Sequence, residues 1–141
     1  MGLILLDSTV IVGFLDADDA LHDVTVAKFK EVVGRHALAA SVVSYAEVMT
    51  GVALGHHPEK HVDGFFDTFV KELLPVDRPV AARAAALRGK RRSLPTPDAL
   101  ILATADLHAE IETVICADGD WAKVKGLNCK VDMLSIGAPS R

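Results

Sequence analysis

Gly2-Leu3-Ile4-Leu5-Leu6-Asp7 is an uninterrupted apolar run stopped by one carboxylate. A strand with one wet face alternates apolar and polar residues. A run with no polar position reads instead as a strand buried on both faces, as in a parallel sheet covered by helices. The segments that follow alternate in kind. Val10–Leu15 opens a helix, Asp23–Val33 carries a second, and Ala37–Ala40 is a second short strand. Ser44-Tyr45-Ala46-Glu47 has capping-box spacing and predicts a helix start, with Gly51 and Gly55 weakening and ending that helix. Pro58 suits the first turn of another helix running to about Lys71, with Val62, Phe65, Phe66 and Phe69 on one side. Glu72–Asp77 reads as a third strand, and Pro75 puts it at an edge. Val80–Arg88 is Ala-rich and helical. Thr96 as N-cap, Pro97 at the first helical position and Asp98 in the first turn begin a helix over Ala99–His108. Thr113–Ala117 is a fourth strand with Asp118 at its end, 122–124 a short turn, and Lys130–Leu134 a fifth strand. This order predicts the α/β class: a three-layer α/β/α fold with a mostly parallel sheet of four to five short strands, residues 1–141 forming a single domain.

Composition agrees. The chain has 141 residues, 50% hydrophobic and 24% charged, which excludes a disordered tail, a collagen-like fibre and a disulfide scaffold. Cys116 and Cys129 are too few for a disulfide framework or a zinc site. No apolar run approaches the roughly 20 residues of a membrane helix. The N-terminal apolar segment has no Lys or Arg before it and is cut by Asp7, so it makes a poor signal peptide. The expectation is a soluble protein of a reducing cytoplasm, with no membrane partner. The net charge of −4 hides an asymmetry: Arg78, Arg83, Arg88, Lys90, Arg91 and Arg92 form a strip of +6 with no acid in it, leaving −10 elsewhere.

The acids repeat a position. Asp7 ends the first strand, Asp118 and Asp120 follow the fourth, and Glu47 and Asp98 stand in first turns of helices. In a parallel sheet, strand C-termini and the helix N-termini after them share one rim, so these carboxylates can converge. Carboxylates brought together resist ionising. A hard dication such as Mg²⁺ or Mn²⁺, which takes oxygen ligands and substrate phosphate oxygens, resolves that conflict. Singly, each acid has a plainer reading as a cap or a dipole partner; together at one rim they favour a metal site.

At this point the chain resembles the PIN-domain ribonucleases, and among them the VapC toxins of type II toxin–antitoxin pairs. The resemblance rests on Leu5-Leu6-Asp7-Ser8-Thr9-Val10-Ile11, Ser44-Tyr45-Ala46-Glu47-Val48-Met49-Thr50-Gly51, Leu94-Pro95-Thr96-Pro97-Asp98-Ala99-Leu100-Ile101 and Ile115-Cys116-Ala117-Asp118-Gly119-Asp120-Trp121. It implies metal-binding acids at Asp7, Glu47, Asp98 and Asp118, with Asp120 a second acid of the last motif ranked below Asp118. It implies a small hydroxyl, Thr9 or Ser8, orienting a carboxylate or a water. It further implies a homodimer and a cognate antitoxin that masks the site. Two positions depart from the family pattern: Cys116 stands where Thr or Ser is frequent, a poorer donor, and Trp121 where Phe is usual.

The expected activity is Mg²⁺- or Mn²⁺-dependent hydrolysis of RNA phosphodiesters, with Asp7, Asp98 and Asp118 on the metal and Glu47 on it directly or through water. Arg88, Arg91 and Arg92 have i, i+3, i+4 spacing, which puts them on one face of any helix that continues past Gly89, and they are candidates for substrate binding. Their plainer reading is a solvated helix end, and a third is a contact with an acidic partner segment. His56, His57 and His61 read as surface histidines, the phenylalanines of 65–69 as core or dimer surface, and Asp16, Asp18 and Asp19 as a solvated loop. A receiver domain would want adjacent acids where Asp7 is single; an Asp-nucleophile phosphatase would want an acid where Thr9 stands. The competing reading is a catalytically inactive PIN-like RNA-binding or assembly module.

Overall fold

In the computed structural model, which describes residues 2–136, the opening run is β1 (Leu3–Leu6), buried along its whole length. It is the middle strand of a five-stranded sheet of order β3-β2-β1-β4-β5, with β2 Ala37–Ser41, β3 Val70–Leu74, β4 Ile111–Cys116 and β5 Lys130–Met133. Every neighbouring pair is parallel. Six helices fill the connections: α1 (Ser8–Leu15), α2 (His22–Val32), α3 (Val42–Ala53), α4 (Glu59–Phe69), α5 (Arg78–Lys90) and α6 (Thr96–Leu107). A 3-10 turn at Trp121–Lys123 precedes β5. Among the described residues no helix is long and apolar enough to cross a membrane.

The two faces of β1 feed separate cores. Leu3 and Leu5 pack with Ala39, Val114, Trp121 and the apolar faces of α5 and α6. Ile4 and Leu6 pack with Leu38, Ala40, Ile115 and residues of α1, α2, α3 and α4. Leu5 and Leu6 are 0% exposed, and each such side chain contributes about 1.5–3 kcal/mol. Phe65 and Phe66 belong to the second core, where Phe65 meets Phe14 and Phe29 with ring centroids 5.5 and 6.0 Å apart. Phe69 is half-buried against the same cluster.

The sequence expectations for α3, α6 and β3 are corrected at their starts. Helix α3 begins at Val42 with Ser41 as N-cap, its hydroxyl accepting from the Val43 amide at 3.0 Å. Ser44 therefore lies inside the helix and its hydroxyl faces the Leu6 carbonyl at 3.5 Å, so the capping box is not formed. Pro95 takes the N-cap position of α6 and Thr96 is its first residue. β3 starts at Val70 because α4 runs straight into it, and it stops at Leu74 because Pro75 has no N–H for the ladder. Its edge position is as expected.

The strand order reverses direction between β1 and β4. The chain leaves β1 toward β2 and β3 and returns on the other side to β4 and β5. Open α/β sheets bind ligands in the crevice beyond the strand C-termini at this switch point. Asp7 stands at one lip of that crevice and Asp118 at the other.

Candidate functional site

Asp7 is set by both elements it joins. Its amide donates to the Ile115 carbonyl of β4 at 3.0 Å, and its own carbonyl accepts from Val10 and Ile11 in the first turn of α1. The side chain caps α1: Oδ1 accepts from the Ser8 amide at 2.8 Å and Oδ2 from the Thr9 hydroxyl at 2.6 Å. The residue is 5% exposed. Burial pushes its pKa up to about 6; the Thr9 and Ser8 hydrogen bonds oppose the rise, and the charges of Asp98 and Glu47 add to it. Those last two influences place Asp7, Asp98 and Glu47 in one electrostatic neighbourhood.

Glu47, on the exposed side of α3, accepts from the Ser8 hydroxyl at 2.8 Å. Asp98, half-buried in the first turn of α6, accepts from the Trp121 indole N–H at 2.9 Å. Trp121 is 0% exposed. The tryptophan at this position thus brings a donor that phenylalanine lacks, tying the last acidic motif to the α6 acid. Among the described residues, no Lys or Arg is paired with Asp7, Glu47 or Asp98.

The fourth motif divides. Asp118 is exposed past the end of β4, and its Oδ1 accepts from the Asp120 amide at 2.9 Å. Asp120 faces cations: its Oδ1 is 3.4 Å from Arg91 Nη2 and 3.8 Å from Lys123 Nζ. Cys116 lies beneath the acids. Burial and the Asp7 charge push its thiol up to about 12, so it stays protonated and is no nucleophile at neutral pH. It meets the Asp118 carbonyl at 3.7 Å, the weak contact expected of a thiol.

The donor set fits a hard dication in its chemistry: carboxylates, one of them buried among like charges. Its geometry is open. Among the described residues no three His, Cys, Asp or Glu side chains approach closely enough to hold one ion. Glu47, Asp98 and Asp118 each accept one hydrogen bond from the chain, from the Ser8 hydroxyl, the Trp121 indole and the Asp120 amide. A carboxylate has about four lone-pair sites, so one hydrogen bond does not exhaust any of them. A cleft of about 240 Å³ opens beside the acids, lined by Ser8, Thr9, Val12, Asp19, Leu21 and Glu47.

Of the three candidate arginines, only Arg91 reaches an acid of the motifs. Arg88 turns back, its Nε donating to the Leu94 carbonyl at 2.8 Å, which fastens the link between α5 and α6. Arg92 is exposed with no acid against it among the described residues. The sequence set Asp19 aside as solvated loop, whereas it is half-buried and lines the cleft, and it gave no sign of the pairing of Trp121 with Asp98. Neither had a local signal: an acid in an acidic loop and an aromatic near a strand end are unremarkable in one dimension.

A family model of the PIN domain matches residues 4–127. Among solved structures, the chain is similar to FitAcB from Neisseria gonorrhoeae, with a TM-score of 0.70, 27% identity and coverage of 92% of this chain and 96% of that one. It is similar to a toxin–antitoxin complex from Klebsiella pneumoniae, with a TM-score of 0.69, 26% identity and coverage of 94% and 98%. VapBC2 from Rickettsia felis, solved with a DNA fragment from its promoter, shares the fold at a TM-score of 0.74, 14% identity and coverage of 94% and 99%. No curated protein matches.

Proposed function

The chain belongs to the PIN-domain family, and on that premise we propose that it is a metal-dependent endoribonuclease that hydrolyses RNA phosphodiester bonds as the toxin of a toxin–antitoxin pair. The resemblance to VapC-type PIN domains agrees with the family match and with the solved structures that share the fold. The observation that carries the reading is Asp7: a carboxylate 5% exposed at the switch point of the sheet, with Asp98 and Glu47 close enough to raise its pKa and no cation of the described chain against any of the three. Ionising a buried acid with like-charged neighbours costs stability, and a cation from outside would offset that cost.

Asp7, Asp98 and Asp118 would hold Mg²⁺ or Mn²⁺, with Glu47 directly or through water. When bound, such an ion supplies Lewis-acid activation of water and neutralises charge on the phosphate. The chain's own residues do the positioning. The Thr9 hydroxyl holds Asp7 Oδ2, the Ser8 hydroxyl holds Glu47 and the Trp121 indole holds Asp98. Asp120, turned to Arg91 and Lys123, ranks below Asp118 as a ligand. No side chain of this site is an activated nucleophile, so water is the attacking species.

The solved complexes it resembles support a cognate antitoxin as partner, since the Klebsiella structure is itself a toxin–antitoxin complex. A homodimer and a cytoplasmic location complete the reading. The open arrangement of the acids favours one alternative, a catalytically inactive PIN-like module. The test is RNA cleavage with Mn²⁺, with chelator, and with Asp98→Asn. Chelator is expected to abolish cleavage and Asp98→Asn to slow it by about a hundredfold or more, the equivalent of a few kcal/mol of lost charge stabilisation. Full activity in either case, or none in the wild type, refutes the assignment.

A further inference from the structure

The basic strip of the sequence ends, at the C-terminus of α5, beside a cavity. The cavity, of about 390 Å³, lies between the end of α5 and the loop after the 3-10 turn, lined by Lys90, Arg91, Lys123, Lys125 and Gly126 together with two apolar residues and no acid. Lys90 and Lys125 are exposed and have no carboxylate partner among the described residues. Arg91 and Lys123 share a single one, Asp120, at 3.4 and 3.8 Å. Four cations therefore surround the cavity against one carboxylate at its margin.

The wall carrying the lysines is held in place. Arg83 donates to Asp106 Oδ2 at 2.7 Å and to the Gly126 carbonyl at 3.4 Å, while Asp106 Oδ1 accepts from the Asn128 amide at 2.7 Å. Gly126 has φ 79°, which lets the chain turn at the cavity rim with no Cβ in the way. The buried Asp106 thus pins this loop to α5 and α6. Contacts also link the cavity wall to the acids: Arg91 is bonded to Asp120, and the next residue, Trp121, is bonded to Asp98.

We propose that this cavity binds a backbone phosphate of the RNA strand, flanking the phosphate presented to the acids. The proposal rests on the nuclease reading and adds to it the residues that hold the substrate beside the cut. A nucleic-acid strand carries one anion per nucleotide, so a strand that lays one phosphate at the acidic rim needs a cationic surface for the next. An acidic peptide could pair with the same lysines but has nothing to place at Asp7, Glu47 and Asp98. Lys90, Lys123 and Lys125 join Arg91 in this role, and Arg88 leaves it.

The experiment is fluorescence anisotropy with a labelled single-stranded RNA, Ca²⁺ replacing Mg²⁺, on the full chain and on the variants Lys123→Gln/Lys125→Gln and Lys90→Gln. Circular dichroism checks that the exposed substitutions leave the fold intact. The double variant is expected to bind about tenfold more weakly at low salt, and the slope of log K against log salt to fall by about 1.4, the value for two phosphate contacts on a single strand. Unchanged affinity and slope in both variants overturn the proposal, whether or not the wild type cleaves RNA. A glutamate-rich peptide that needs the lysines, when RNA does not, assigns the cavity to a protein partner and also overturns it. Lysine-dependent RNA binding without Mn²⁺-dependent cleavage supports the cavity while refuting the nuclease reading. A wild type that neither binds nor cleaves RNA refutes both.

Discussion

Replacing Trp121 by Phe isolates the contact that joins the last acidic motif to α6. The indole N–H donates to Asp98 Oδ2 at 2.9 Å, and the ring is wholly buried. Two losses follow. The smaller ring leaves part of its volume unfilled, which by analogy with other large-to-small core changes costs about 1–2 kcal/mol. The carboxylate also loses its donor; a hydrogen bond to a charged group is worth about 1.5–3 kcal/mol, and the half-exposed position of Asp98 brings that to about 1–2. Together they lower the unfolding free energy by about 2–4 kcal/mol and Tm by about 10 °C for a chain of this size. A double-mutant cycle with Asp98→Ala separates the two, because the packing loss occurs with or without the acid and cancels. Urea denaturation of the four proteins is expected to give a coupling energy of about 1–2 kcal/mol. A coupling within about 0.3 kcal/mol of zero, the scale of ordinary non-additivity, would mean that the indole merely fills space and that Asp98 is positioned by something else.

Two further outcomes follow from the same geometry. The folded-state pKa of Asp7, about 6, lies above its ordinary value of 3.8, so its contribution to stability is fully present below about pH 4 and is lost as pH rises through about 6. Without divalent ions, Asp7→Asn should therefore unfold at higher urea than the wild type near neutral pH, by up to about 3 kcal/mol, with the gap closing by about pH 4; Mn²⁺ at a hundred times its Kd should stabilise the wild type alone by about 2.7 kcal/mol. Identical pH profiles for the two proteins would contradict the burial argument. Ser41→Ala, which removes the N-cap of α3, should cost about 1 kcal/mol in the same assay, and Ser44→Ala less, since its contact at 3.5 Å is long; the reverse order would restore the capping box read from the sequence.

The fold was legible where one residue's environment depends on its immediate neighbours. Leu3–Leu6 has no polar position, and that alone places it inside a covered sheet. The acids were legible as candidates because each sits at the end of an element recognisable by its own composition. What was hidden is of two kinds. Ser41 and Ser44 are both competent caps three residues apart, and the choice was made by the sheet: β2 continues through Ser41 in register with β3, so the helix starts immediately after it. The other kind is pairing across the chain. Trp121 with Asp98, Ser8 with Glu47 and Arg83 with Asp106 join residues 23, 39 and 23 positions apart, and no periodicity encodes them. The arginines show the same limit: their spacing suggested one helical face, but α5 stops at Lys90 with Arg91 extended, and the loop that follows turns Arg91 toward Asp120 while Arg88 bonds back to the Leu94 carbonyl.

The four residues of β1 send alternate side chains to opposite helical layers, and Asp7 is the next residue along. Inserting or deleting a single residue in this strand would exchange the tenants of both layers and rotate the acid to the far side at the same stroke. Damage to the chemistry by such a shift would always be accompanied by damage to folding. Any pressure that keeps the two halves of the molecule well packed therefore also keeps the residue after β1 aimed into the crevice, whatever side chain stands there.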